Sequence, residues 1–195
     1  PTGPDLTVEG LGGRAVAPFA YQIDAQGGPL PRLAFGLDGN LRTATSLGLI
    51  SEWALDEQVL LRGDPRGGFD AWVEGPALFD LDDGRIGLAY VGREDASAPG
   101  AIGMATSTDG VTWTREDAPV LAPGDGIDSL EDPCVRRDRW LGGLRLWASV
   151  RTADGWTVGV SRAGQVDDWS PLTLAEGLPA DTTAPLVAWR GGRYV

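Results

Sequence analysis

The sequence predicts an all-β chain, a β-propeller of four-stranded blades, and three observations lead there. A proline recurs in Ala17-Pro18, Gly75-Pro76, Asp132-Pro133 and Ala184-Pro185, at intervals of 58, 57 and 52 residues. Each of the first three prolines is followed by an apolar run, a turn, a second apolar run and a strand of small residues. A tryptophan then closes the unit, at Trp53, Trp113 and Trp169. A period of this length made of short strands is how a propeller blade reads in sequence. Finally, no stretch keeps a helical period with caps, while 29 glycines crowd the turns.

The elements follow in order. In the first blade Arg32-Leu33-Ala34-Phe35 comes after the turn Gly27-Gly28-Pro29, and Thr43-Ala44-Thr45-Ser46 is the small-residue strand. The second has the run Arg85 to Val91 after Asp82-Asp83-Gly84, then Gly103 to Ser107. The third repeats this with Leu144 to Val150 after Gly142-Gly143, then Val158 to Ser161. Asp-Gly and Gly-Gly steps between β-rich runs are hairpin signals. The fourth copy stops mid-strand at Gly192-Arg193-Tyr194-Val195. One propeller domain over 1–195 is expected, with blades near 14–60, 70–115, 128–170 and from 181 onward. A propeller closes with roughly 4–8 blades. About three and a half blades therefore lead us to expect a chain that continues past Val195, in preference to a second chain completing the ring.

Composition narrows the chemistry. The net charge is −12 with no basic patch, which argues against nucleic acid and anionic membranes as partners. No apolar run approaches the roughly 18 residues of a membrane helix. No signal-peptide pattern opens the sequence, which tips the expectation towards the cytoplasm. A single cysteine, Cys134, forbids an internal disulfide. All 16 basic residues are arginine, and histidine is absent. Ser-His-Asp and Cys-His catalysis and histidine-rich metal sites are thus excluded from this segment. The remaining repertoire is carboxylates, arginines, hydroxyls and aromatic rings, which suits glycoside chemistry.

Two motifs carry a resemblance. Ser107-Thr108-Asp109-Gly110-Val111-Thr112-Trp113 resembles the Asp-box of sialidase-type propellers, one residue short, and is read as a turn with a packing tryptophan. The string Trp72-Val73-Glu74-Gly75-Pro76-Ala77-Leu78-Phe79, an Asp-Gly turn, Gly87 to Val91 and Ile102 to Trp113 together resemble a blade of the five-bladed propeller glycosidases. These are the family 43 enzymes and the related families 32, 68 and 130. The resemblance implies a glycosidase acting on an oligosaccharide or glycoside. It implies acids at the starts of innermost strands, with Glu74, in Glu-Gly-Pro, as general acid and Asp132, in Asp-Pro, as a second catalytic carboxylate. A central calcium or sodium ion is compatible with it. The chain departs from the pattern in several places. Ala17 and Ala184 stand where aspartates are found, Asp132 follows Glu74 in order, and the histidine that supports a central ion is missing.

Residues two apart share a strand face, so Asp70, Trp72 and Glu74 are expected on one side, with Trp72 as a sugar platform. In the next blade Asp128, Leu130 and Asp132 alternate with Ser129 and Glu131. Substrate contacts are assigned to Trp72, Asp70 and Glu131. At Asp70 and Glu131 a structural role in fixing strand starts weighs more than a functional one. At Asp132 the two stand level, and at Glu74 function leads. Trp53, Trp113, Trp147 and Trp169 read as packing; at Trp140 and Trp156, which lie near turns, sugar stacking is weighed as well, but a structural role weighs more. Arg136, Arg137 and Arg139 read as partners of acids such as Asp138, ahead of a phosphate site. The alternative to an enzyme is a non-catalytic propeller that binds glycans or protein and has lost its acids.

Overall fold

The computed structural model describes residues 7–9, 16–25, 28–46, 52–138, 141–179, 181–187, 189–190 and 193–194. Arg139, Trp140 and Val195 lie outside these residues. Among the described residues there is no helix, and none is therefore long and apolar enough to cross a membrane.

The strands fall into successive antiparallel sheets. The first comprises β2 (Val16–Ala25), β3 (Gly28–Leu37), β4 (Asn40–Ser46) and β5 (Glu52–Leu61), with β1 (Thr7–Glu9) added in parallel at the β5 edge. The second runs β6 (Trp72–Asp80), β7 (Ile86–Arg93), β8 (Ala101–Ser107) and β9 (Thr114–Arg115). The third runs β10 (Ile127–Arg137), β11 (Leu144–Thr152), β12 (Gly155–Ala163) and β13 (Thr173–Leu174). A hairpin of β14 (Trp189–Arg190) and β15 (Arg193–Tyr194) follows. Apart from β1, each sheet is a meander in sequence order, and β2 and β10 both pack against β6. The all-β propeller expected from the sequence is the architecture observed.

Pro18, Pro76 and Pro133 prove to sit inside the first strands and not at their starts, whereas Pro185 lies in no strand. Proline has no ladder donor, so a strand accepts it only at an edge or a bulge. Here Pro18, Pro76 and Pro133 each make a bulge. Pairing jumps from Glu74↔Val91 to Ala77↔Ala89, from Glu131↔Ser149 to Cys134↔Trp147, and from Val16↔Gly36 to Phe19↔Ala34. Two residues on the first strand thus oppose one on the second. Before three of the four prolines the residue turns left-handed, with φ of 56° at Gly75, 47° at Asp132 and 51° at Ala184. Glycine and aspartate tolerate that region, whereas alanine is strained there by about 1–2 kcal/mol. By this register Glu131, and not Asp132, is the counterpart of Glu74.

Blade faces close on one another through apolar layers. Ala77, Val91, Ile102 and Met104 of the second sheet meet Leu130, Leu146, Ala148 and Val150 of the third. On the other side Val73, Leu88 and Tyr90 meet Ala34, Leu41 and Leu61 of the first. Full burial of such a Leu or Val stabilises by about 1.5–3 kcal/mol. These layers hold β6 and β10 together and so fix the distance between their acids.

The tryptophans mostly serve this packing, as expected. Trp53 is buried beside Leu33 and Phe35, Trp113 packs on the layer between the first two blades, and Trp169 on the next. Trp147 is buried with Cys134 and Val158, with the Arg145 guanidinium 5.7 Å from its ring centroid.

Candidate active site

Glu74 lies one residue ahead of the β6 bulge. Arg93 ends β7 opposite Trp72, so its side chain emerges on the same face, diagonal to Glu74. Its guanidinium gathers three partners. Nε donates to Glu74 Oε1 at 2.8 Å, and Nη1 donates to the Ala98 carbonyl at 2.5 Å. Nη2 donates to both Glu131 oxygens, at 2.5 and 2.6 Å. Ser129 Oγ donates to Glu131 Oε1 at 2.8 Å and accepts the Gly100 amide at 2.8 Å. The two glutamates are each 17% exposed and Arg93 13%. One arginine thus ties the equivalent glutamates of two neighbouring blades together.

Two carboxylates sharing one cation leave a surplus negative charge in a half-buried place. Burial pushes the Glu131 carboxyl above its ordinary 4.5, and the Glu74 charge adds to this, while bonds from Ser129 and Arg93 oppose it. The two-oxygen contact with Arg93 alone would favour the opposite direction. Arg93, however, divides its charge between two acids, so burial prevails. Burial also works against the charged form of Arg93, but the bonds to Glu74 and Glu131 outweigh it and raise its pKa. The cation therefore stays.

Asp132 occupies the β10 bulge itself. Ser149 Oγ donates to its Oδ2 at 3.0 Å and accepts the amide of Ala184 at 2.7 Å. The same serine thereby steadies the strained residue of the following blade. The two bulges also adjoin: a methyl placed on Gly75 would lie 3.7 Å from Pro133 Cδ and 3.0 Å from Val91 Cγ2. Among the described residues, Glu74 Oε2 and Asp132 Oδ1 have no bonding partner. Each acid is anchored through one oxygen and open at the other.

Two assigned residues fall elsewhere. Asp70 precedes β6, is 6% exposed, and is bound through Oδ2 by Tyr90 Oη at 3.0 Å and Arg115 Nη1 at 2.7 Å. It therefore does not share a strand face with Glu74, because the ladder starts only at Trp72. It is a buried brace, and together with burial its charge raises the Tyr90 phenol pKa. Trp72 covers the turn of the first blade, its ring so close to Gly39 that a methyl there would lie 2.7 Å from Cε3. Only a glycine fits, and the indole spends this face on packing. Glu131 joins the cluster, whereas Asp128 lines a cavity beside it.

Arg93 and Ser149 went unnoticed in the sequence. Both lie on second strands, and only the bulge register shows that they face the acids. Among the described residues no group of three or more Asp, Glu, Cys or His gathers as ion ligands. The space between Glu74 and Glu131 holds a guanidinium, so these residues do not fit a protein-held central cation. Arg136 donates to the carbonyls of Val187 and Val135, Arg137 pairs with Asp82, and Asp138 pairs with Arg145. No phosphate cradle is formed by the described members of that group.

No protein-family model matches the chain, and no curated protein matches its sequence. Solved structures do match. A family 117 glycoside hydrolase from the marine bacterium Zobellia galactanivorans aligns with TM-score 0.64 at 14% identity, over 83% of this chain and 55% of that one. This chain has the fold of the propeller glycosidases. The Bombyx mori GH32 β-fructofuranosidase gives TM-score 0.64 at 17% identity over 92% and 40%. An α-L-arabinofuranosidase from Lactobacillus brevis gives 0.53 at 19% over 86% and 57%. The chain spans less than two thirds of the length of each.

Proposed function

We propose that this propeller cleaves glycosidic bonds with Glu74 as proton donor and Asp132 as the base that activates water. The observation that carries this reading is the matched anchoring of the two acids. Glu74 is held through Oε1 by Arg93 and Asp132 through Oδ2 by Ser149, on bulges that adjoin, and each leaves one oxygen open. Glycoside hydrolysis needs that division: one carboxyl protonates the leaving oxygen while an ionised carboxylate on the other side activates water. Glu131, with both oxygens engaged, positions Arg93 and does not reach substrate as an acid. The glycoside hydrolases that share the fold support the same class of substrate, an oligosaccharide or glycoside.

The test is turnover of a glycoside panel by the intact protein. Glu74→Gln and Asp132→Asn are each expected to lower kcat/KM by about 10²-fold or more, the usual worth of acid–base catalysis. Undiminished activity in either variant overturns the assignment of that residue. Glycan binding without turnover on any substrate would make the chain a binding propeller.

A further inference from the structure

Beside the cluster, between the second and third blades, lies a cavity of about 460 Å³. This is within the roughly 300–1,000 Å³ of small-molecule sites. One wall is the Ala96 to Pro99 turn. Asp95 fixes that turn by accepting the Ser97 amide and hydroxyl at 2.8 and 2.7 Å and the Ala98 amide at 3.0 Å. The facing wall is a row across three strands, because Ser129 pairs with Arg151 on β11 and Arg151 pairs with Trp156 on β12. Residues in such a row share one face. Glu131 is their neighbour on β10, which joins this cavity to the candidate active site.

The charges in this cavity are unequal in their freedom. Arg93 is consumed by Glu74, Glu131 and Ala98. Arg151 is exposed and, among the described residues, has no carboxylate within ion-pair reach, although the chain carries 28 acids and 16 arginines. Asp128 lines the same cavity without pairing with it. Trp156 is half-buried there; its backbone amide donates to Asp181 Oδ1 at 3.3 Å, and among the described residues its side chain has no hydrogen-bond partner. An aromatic face stacks on the apolar side of a sugar ring, and an uncommitted guanidinium takes a planar carboxylate in a two-point contact.

We infer that this cavity is a subsite for a uronic acid residue, its carboxylate on Arg151 and its ring against Trp156. Asp128 and Ser129 are left for its hydroxyls. This inference rests on the glycosidase reading above for the direction in which a sugar chain leaves the site, but not for the binding itself. Equilibrium binding of a galacturonate trisaccharide, a neutral galactose trisaccharide and inorganic phosphate to the intact protein tests it. The galacturonate oligomer is expected to bind at least tenfold more tightly than the neutral one. Arg151→Met should erase that preference, and Trp156→Ala should weaken both sugars. Arg151→Lys should restore part of the preference if charge is what matters. Equal affinity for the two sugars, a preference that survives Arg151→Met, or Arg151-dependent binding of phosphate alone would each overturn the proposal. Arg151-dependent uronate binding without turnover would remove the glycosidase reading and keep the subsite. Turnover of glycosides together with equal affinity for the charged and the neutral trisaccharide would do the reverse.

Discussion

At the residue scale the decisive group is Arg93, which bonds two acids on separate blades at once. Glu74 was legible from its Glu-Gly-Pro context. Glu131 was weighed chiefly as a structural residue, and in the structure it shares Arg93 with Glu74. Arg93 was hidden because its relation to Glu74 depends on a bulge that shifts the ladder. The raised Glu131 carboxyl has a consequence for stability. Between its ordinary 4.5 and its higher folded value the native state binds more protons than the unfolded chain, so stability falls as pH rises through that window. Below about 4.5 the penalty is absent, and above the folded value it is fully present. Thermal unfolding of the intact protein from pH 4 to 7 should show this fall, and Glu131→Gln should flatten it relative to wild type. An identical pH dependence in the two proteins would mean that Glu131 titrates normally.

At the element scale the prolines were visible in sequence but their meaning was not. A proline read alone suggests the start of a strand, whereas three equivalent bulges place it inside one, with the acids just ahead of it or within it. Turn chemistry was more transparent. Asp109 accepts the amides of Thr112 and Val111 and the Ser107 hydroxyl, and these bonds pull its carboxyl down to about 2. The short Asp-box is therefore a hairpin device, as its sequence indicated. The central strands also carry a packing rule that the sequence did not disclose. Gly103 lies opposite Tyr90, and a methyl on Gly103 would sit 2.4 Å from the phenol ring. Gly103→Ala is accordingly expected to cost about 1–3 kcal/mol by overpacking. Urea unfolding reads this directly, and the double change with Tyr90→Leu should recover part of the loss. An unchanged midpoint in Gly103→Ala would show that the Tyr90 ring is not held over that glycine.

At the scale of the whole molecule, the blade repeat made the fold class readable, because short strands and turns recur on a fixed period. The same period could not reveal which face of each blade meets the next, since nearly every position of β7 and β8 is apolar or small and buried. Inter-blade packing decides the site: the layer from Ala77 to Val150 brings β10 against β6, and with it Glu131 and Asp132 to Glu74. The absence of histidine turned the reading of the candidate site towards carboxylates. The pairing of the carboxylates was not legible, because it is a property of two adjacent blades. The most direct measurement is kcat/KM of the intact protein on aryl glycosides whose leaving groups span a wide range of acidity. With Glu74 as proton donor, Glu74→Gln loses about 10²-fold or more on poor leaving groups and recovers on highly activated ones, which need no proton. Asp132→Asn loses activity on both, since water must still be activated. A Glu74→Gln variant equally impaired on every leaving group, or an Asp132→Asn variant with full activity, would contradict the pairing.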